Sequence, residues 1–192
     1  DTGYTEWGAS GLAAVWAENN TRESIYEAFR RKETFATSGS RIKVRFFGGY
    51  NLEKILEEGD PIKYAYANAS SMGSDILQNQ NQVPEFMVWA IRDLKRAPLD
   101  RVQIIKGWTE LSGKPHEKVY DVACSDGRKA NIKTGLCKDS RAKVNLSNCK
   151  ISKNFGADEL KVVWKDPDFN PNLKAFYYCL LYTSDAADER LS

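Results

Sequence analysis

Residues able to do chemistry are few and scattered along this chain. The one histidine, His116, lies in Lys114-Pro-His-Glu-Lys, a stretch that reads as a turn ahead of a strand. An imidazole with no second His and no nearby Cys is a loop side chain before it is a metal ligand. The four cysteines are Cys124, Cys137, Cys149 and Cys179, and none stands in a Cys-x-x-Cys or His/Cys spacing that would mark zinc. Asp126-Gly127 and Asp166-Pro-Asp168 offer carboxylates of the kind calcium takes, yet neither supplies the spaced ligand series of a calcium loop, so both read as turn formers. Arg30, Arg31 and Lys32 either face an acidic substrate or complement the carbonyl end of a helix. Trp89, Trp108, Trp164, Tyr177 and Tyr178 read either as a sugar-stacking platform or as core. There is no P-loop, no Gly-x-Gly-x-x-Gly, no Gly-x-Ser-x-Gly and no His-Glu-x-x-His, which leaves nucleotide-binding and serine-hydrolase readings unsupported. Asn19, Asn68 and Asn145 begin glycosylation sequons that a bacterial origin would silence.

The elements that position these residues follow from periodicity. Residues 1–19 read as loop, with Trp7 and Trp16 as packing anchors. Residues 20–33 read as a helix: Asn20 or Thr21 caps it, Glu23 completes a capping box, and Ile25, Ala28 and Phe29 form its apolar stripe. Thr34 to Thr37 and residues 41–47 are predicted strands around Ser38-Gly39-Ser40, the second alternating Ile42, Val44 and Phe46 with Arg41, Lys43 and Arg45. A short helix is expected over 51–58 and irregular structure over 62–83. From residue 84 the pattern is β, with strands over 85–91, 101–108, 117–124, 144–151, 160–164 and 174–178. Strands at this spacing, separated by Gly, Asp and Pro turns, suggest a β-sandwich.

Length and composition bound the reading. The chain has 192 residues, with 28 basic against 26 acidic residues and a net charge of +2, enough chain for one domain with a real core. So even a balance gives no reason to expect a nucleic-acid partner. No run of about 18 apolar residues is present, so no membrane-spanning helix is expected.

Seven segments carry a family resemblance. Gly11 to Ile25, Arg31 to Gly39 and Arg41 to Gly49 resemble domain of unknown function 3604. So do Gln103-Ile-Ile-Lys-Gly-Trp108, His116 to Gly127, Val163 to Phe169 and Ala175 to Tyr178, so that the likeness spans most of residues 7–178. That family is related to the PHP (polymerase and histidinol phosphatase) metal-dependent phosphoesterases. The resemblance implies an α+β chain. Residues 1–40 would be the C-terminal helix–strand end of a PHP-like α/β domain, and 41–178 a mainly antiparallel β-sandwich, incomplete at its end. It also implies a parent hydrolase with divalent metal ions held by His-x-His and Asp-x-His motifs upstream of Asp1. Those motifs are missing here, so this piece is expected to be inactive and to have the missing N-terminal catalytic domain as its partner. Glu33, Thr37 and Ser38 stand where the family's last catalytic strand ends. A Thr-Ser-Gly turn there is either an oxyanion cradle of hydroxyls and N–H groups or a plain tight turn. The resemblance further suggests a fourth native cysteine beyond this piece. Cys124, Cys137 and Cys149 are therefore disulfide candidates in a periplasmic or secreted protein, the alternative being buried thiols. Residues 179–192 look like an in-frame translation of a sequencing adapter and are expected to be a non-native tail. A non-catalytic binding or architectural module remains the alternative function.

Overall fold

In a computed structural model of the chain, the described residues are 11–79, 82–145, 147–148, 150–152 and 154–185. Trp7 and Cys149 lie outside them. The first unit comprises β1 (Leu12–Val15), α1 (Arg22–Arg30) and β2 (Thr34–Thr37). Thr21 caps α1, its Oγ1 accepting from Ser24 N at 3.2 Å, and Ser24 Oγ in turn accepts from Asn19 N at 3.1 Å. The reciprocal cap is thus closed by Ser24 rather than by Glu23. The helix stops at Arg30 because Lys32 turns left-handed at φ 58°. Lys32 N then donates to Phe29 O and Glu33 N to Ala28 O, the paired bonds of a Schellman end. Of the expected stripe, Ala28 is buried while Phe29 is 51% exposed.

The loop expected over 1–19 contains β1, which pairs antiparallel with β2 from Leu12↔Thr37 to Val15↔Thr34. A Leu-Ala-Ala-Val run has little strand signal of its own; pairing with β2 decides it. Residues 11–40 are thus a strand–helix–strand unit, and no PHP-like α/β domain is evident among the described residues. Trp16 ties the unit down: its indole N–H donates to Val44 O at 2.8 Å, and its ring lies 5.7 Å from Phe35.

Two antiparallel sheets form the body. The first runs β10 (Glu159–Lys165), β5 (Glu85–Ile91), β3 (Lys43–Gly49), β4 (Ser70–Ser71); the second runs β11 (Ala175–Thr183), β6 (Leu99–Thr109), β7 (Pro115–Cys124). Val44, Phe86, Val88 and Ala90 of the first pack with Val102 and Ile104 of the second in one buried cluster. Phe86–Tyr177 and Tyr120–Trp164 ring contacts, at 4.3 and 4.9 Å, bridge the two sheets. Phe46 joins this core, stacked on Phe86.

The outer face of the first sheet is half covered. Phe47 and Met87 are buried there under Leu52, Ile55 and Ala65. Ile55 comes from a single 3-10 turn (Ile55–Glu57) where a helix was expected, and Ala65 from α2 (Pro61–Asn68), which lies in the stretch expected to be irregular. The start of α2 follows from Asp60-Pro61. Asp60 Oδ1 accepts from Lys63 N at 3.0 Å, and proline occupies the first turn, where its missing N–H costs nothing. The strand expected over 144–151 is instead a small hairpin of β8 (Val144–Asn145) and β9 (Lys150–Ile151). At the other end, β11 does not stop at Tyr178. It pairs with β6 through Thr183↔Leu99, with an irregularity between Tyr182 and Thr183. Its Cys179 faces the core, where burial pushes the thiol up to about 12. Strand pairing thus continues into residues 179–183 of the expected tail.

Cys124 and Cys137 form a disulfide with Cα atoms 6.0 Å apart, closing a loop of sequence separation 13. Polar groups seat the same loop. Arg128 donates to Asp100 Oδ1, to Ser125 O and to Lys138 O, while the buried Asp121 carboxylate accepts from Gln103 Nε2 and Cys137 N. A cross-link over so short a loop is worth roughly 2–4 kcal/mol by chain-entropy arithmetic. Cys124→Ala/Cys137→Ala should lower the unfolding free energy by about that amount in urea titrations. A loss well under about 1 kcal/mol would mean that the Arg128 and Asp121 contacts alone hold the loop.

Candidate functional site

The Thr37-Ser38-Gly39 turn borders a groove of about 1700 Å³. One wall is β2 and its turn, another is the segment Ser70 to Gln78, and the third is β11 with the chain leading into it. Its floor is the edge of the core: Val44, Phe46 and Phe86. Gly73, at φ +83°, lets the Ser70 segment close on the left-handed corner after α1, because a Cβ there would meet Lys32 Cβ at 2.3 Å. Among the described residues, the buried Thr37 Oγ1 meets no hydrogen-bond partner.

Glu33 does not join Thr37 and Ser38. It is buried, 3.3 Å from Arg31 Nη2, and its carboxylate interacts with the Tyr66 phenol of α2. Arg45 Nη1 donates to Tyr66 Oη at 2.6 Å, and its guanidinium sits 3.5 Å above the Trp16 ring. Burial raises the Tyr66 phenol above its usual range; Arg45 opposes the shift and Glu33 adds to it. Arg31 also reaches Trp16 O, whereas Arg30 makes an exposed contact with Glu27. This basic end of α1 therefore closes a structural cluster.

The remaining acidic and aromatic candidates are likewise committed. Asp126 accepts from Ser125 Oγ within its own turn and from Gly156 N, 30 residues further on. His116 lies in β7, stacked on Trp108 with ring centroids 5.3 Å apart, its Nε2 2.6 Å from Glu110 Oε1. The aromatic residues do not share one platform. Trp164 and Tyr177 pack against the core, Trp89 sits under Lys161 at 4.6 Å, and Tyr178 stacks with Phe176.

The densest polar site was not legible as a unit. Asp166 and Asp168 follow β10 and reach across to three strands of the second sheet. Lys106 Nζ donates to Asp166 Oδ2 at 2.6 Å and to Asp168 O at 2.7 Å, and Tyr177 donates to Asp166 Oδ2 at 2.7 Å. Lys118 and Tyr120 both donate to Asp168 Oδ2 at 2.5 Å. Lys106 and Asp166 are buried. The lysine and tyrosine bonds hold Asp168 below the usual carboxylate range. Desolvation first, and the carboxylate hydrogen bonds second, raise Tyr177 and Tyr120 well above the normal phenol range. The signal lay in parity: Lys106 is a charge at an inward position of the run 102, 104, 106, 108.

Among the described residues, no group of three or more His, Cys, Asp or Glu is placed to hold a metal ion. None of their helices is long and apolar enough to cross a membrane. Fold and site together define a mostly antiparallel, disulfide-bonded β protein with two short helices, whose buried charges serve its own architecture. The chain belongs to the family described as "Protein of unknown function (DUF3604)", which it matches over residues 1–183. No curated protein and no solved structure matches it.

Two outcomes follow. The folded-state pKa of Tyr177 is raised above the unfolded value near 10, so its contribution is present below pH ~10 and is lost as pH rises further. Wild type should therefore destabilise steeply in alkali, and Tyr177→Phe should flatten that slope in urea titrations between pH 8 and pH 11; an unchanged slope would contradict the assignment. Thr37→Val should leave stability unchanged or raise it by up to about 1 kcal/mol, since it removes an unsatisfied buried hydroxyl. A clear loss would show that the hydroxyl is satisfied in solution.

Proposed function

We propose that this chain is the β-rich part of a periplasmic or secreted protein resembling PHP-type metal-dependent phosphoesterases, and that the metal chemistry belongs to residues outside this sequence. The observation behind this reading is the commitment of the buried acids. Glu33 faces Arg31, Glu85 holds Leu52 N and Lys165, Asp100 holds Arg101 and Arg128, Asp121 holds Gln103 and Cys137 N, and Asp166 holds Lys106 and Tyr177. Carboxylates committed in this way are poor metal ligands, because coordination would break these bonds and, at Asp100 and Asp166, leave a largely buried cation without its partner. These residues do not fit a multi-metal cluster, and no step of hydrolysis is assigned to them. The disulfide supports an oxidising compartment.

A second reading, a binding or architectural module, is favoured by the groove of about 1700 Å³ with its apolar floor and hydroxyl-bearing rim. Under it Thr37 and Ser38 contact a ligand without reacting with it.

The purified chain, dialysed against zinc, manganese or iron(II), should retain no stoichiometric metal and should not hydrolyse bis(p-nitrophenyl) phosphate. Sequence of the source locus upstream of Asp1 should contain His-x-His and Asp-x-His. Tight metal retention with turnover would place the chemistry inside this chain. An upstream frame without those motifs would leave the module reading.

A further inference from the structure

A second, smaller cavity adjoins the groove and shares Phe169, Leu173 and Ala175 with it. The strand register defines it. On the inward face of the second sheet, Tyr177, Lys106 and Lys118 form one cross-strand row, and Ala175, Trp108 and His116 form the next. The first sheet does not reach this last row. The chain between β10 and β11 arches over it and encloses about 220 Å³ lined by Lys106, Trp108, Asp168, Phe169, Asn170 and Leu173, with Ala175 at its end.

Three features set the chemistry of a ligand. The first is charge. Lys106 and Lys118 are matched by Asp166 and Asp168 at 2.6 and 2.5 Å, so the polar wall is neutral and favours neither anion nor cation. The second is shape and surface. Trp108, Phe169 and Leu173 make an apolar wall, and the Trp108 ring is backed by His116, itself placed against Glu110. The third is unspent hydrogen-bonding capacity. Lys106 commits two of its three N–H donors, to Asp166 and Asp168. Asn170 uses its Oδ1 to accept from Asn172 N, which leaves its amide N–H groups for a ligand. The volume is below that of drug-sized sites and suits one ring.

From this geometry we infer that the cavity is a binding subsite for an uncharged sugar ring. The C–H face of a pyranose lies on Trp108 and Phe169, and its hydroxyls meet Lys106 Nζ, Asn170 Nδ2 and the Asp168 carboxylate. Aromatic walls take the apolar face of such a ring, and the few convergent polar groups fix its orientation. The subsite is independent of the metal reading above, since it uses only residues of this chain and none of them reacts.

The test uses the whole chain and a panel of methyl glycosides, the glucoside, galactoside and mannoside, in saturation-transfer NMR with indole fluorescence as a second readout. At least one should bind in the millimolar range, and glucuronate and glucose 1-phosphate should bind more weakly than the neutral ring. Trp108→Leu should weaken binding roughly ten-fold or more, and Asn170→Ala measurably, each with the wild-type far-UV circular dichroism spectrum and a cooperative melt. Should Trp108→Leu fail to fold, Asn170→Ala decides, because Asn170 lies in an exposed turn. Absence of binding by every glycoside, binding unaltered in the folded variants, or preference for a charged sugar would overturn the inference.

Discussion

The pairing of two lysines with two aspartates across the sheets is the constraint around which this molecule is built. Lys106 and Lys118 stand directly opposite each other on β6 and β7, a like-charge pair that would push the strands apart. The Asp166-Pro-Asp168 turn supplies one carboxylate to each: Asp166 to Lys106 and Asp168 to Lys118. Tyr177 and Tyr120 add hydroxyl bonds to the same two acids. All three strands of the second sheet are thereby tied to the exit of the first. Burial makes the Lys106–Asp166 half of the arrangement demanding, whereas Lys118–Asp168 is about half exposed. A buried ion pair contributes little net stability against an apolar replacement, but removing one member costs about 3–5 kcal/mol, since the other charge is left without water or partner. Such a network specifies how the sheets meet more than it strengthens their meeting.

The strand–helix–strand unit of residues 11–40 attaches by a different logic. It has little buried surface of its own; Ala28 is the one fully buried residue of α1. Its grip on the body is the Trp16 indole, which meets Val44 O on the edge of β3 and carries Arg45 on its face. A sheet edge with a free carbonyl invites association with other chains, and Trp16 closes one such position. The same unit forms a wall of the large groove, so the groove's width depends on this attachment. Gly73 sets the opposite limit by its approach to the Lys32 backbone.

Much of this was readable before the fold was known, and the unread parts have specific causes. The strand from Glu85 to Ile91 coincides with its observed bounds, because Phe86, Val88, Trp89 and Ile91 favour a strand and the run is buried almost throughout, which leaves no competing pattern. The predicted start of the strand at Arg41 moves to Lys43, since Arg41 N donates to Asp93 Oδ2 and Ile42 N to Ser40 O, outside the ladder. β1 and α2 escaped because their signals are local and weak: one depends on a partner strand, the other on an Asp-Pro start inside a polar stretch. The Lys106 network escaped for a deeper reason. Its members approach from positions up to 62 residues apart, and no spacing rule links them. What the sequence offered was only a lysine at an inward parity and an Asp-Pro-Asp turn, two halves of one interaction.

This also explains why the acidic residues invited functional readings that the fold absorbs. Asp126 and Asp166-Pro-Asp168 resemble ligands in one dimension, where only residue type and spacing are visible. In three dimensions each has a donor already in place: Gly156 N for Asp126, and lysines and tyrosines for the other two. A carboxylate becomes a metal ligand when the fold leaves it uncompensated, and here the fold compensates it. The unspent hydrogen-bonding capacity lies instead with neutral or already balanced groups beside concave surfaces. They are Lys106, with one N–H uncommitted, and Asn170, with its amide N–H groups, at the small cavity. Groups of that kind suit recognition by shape and hydroxyl placement rather than by charge.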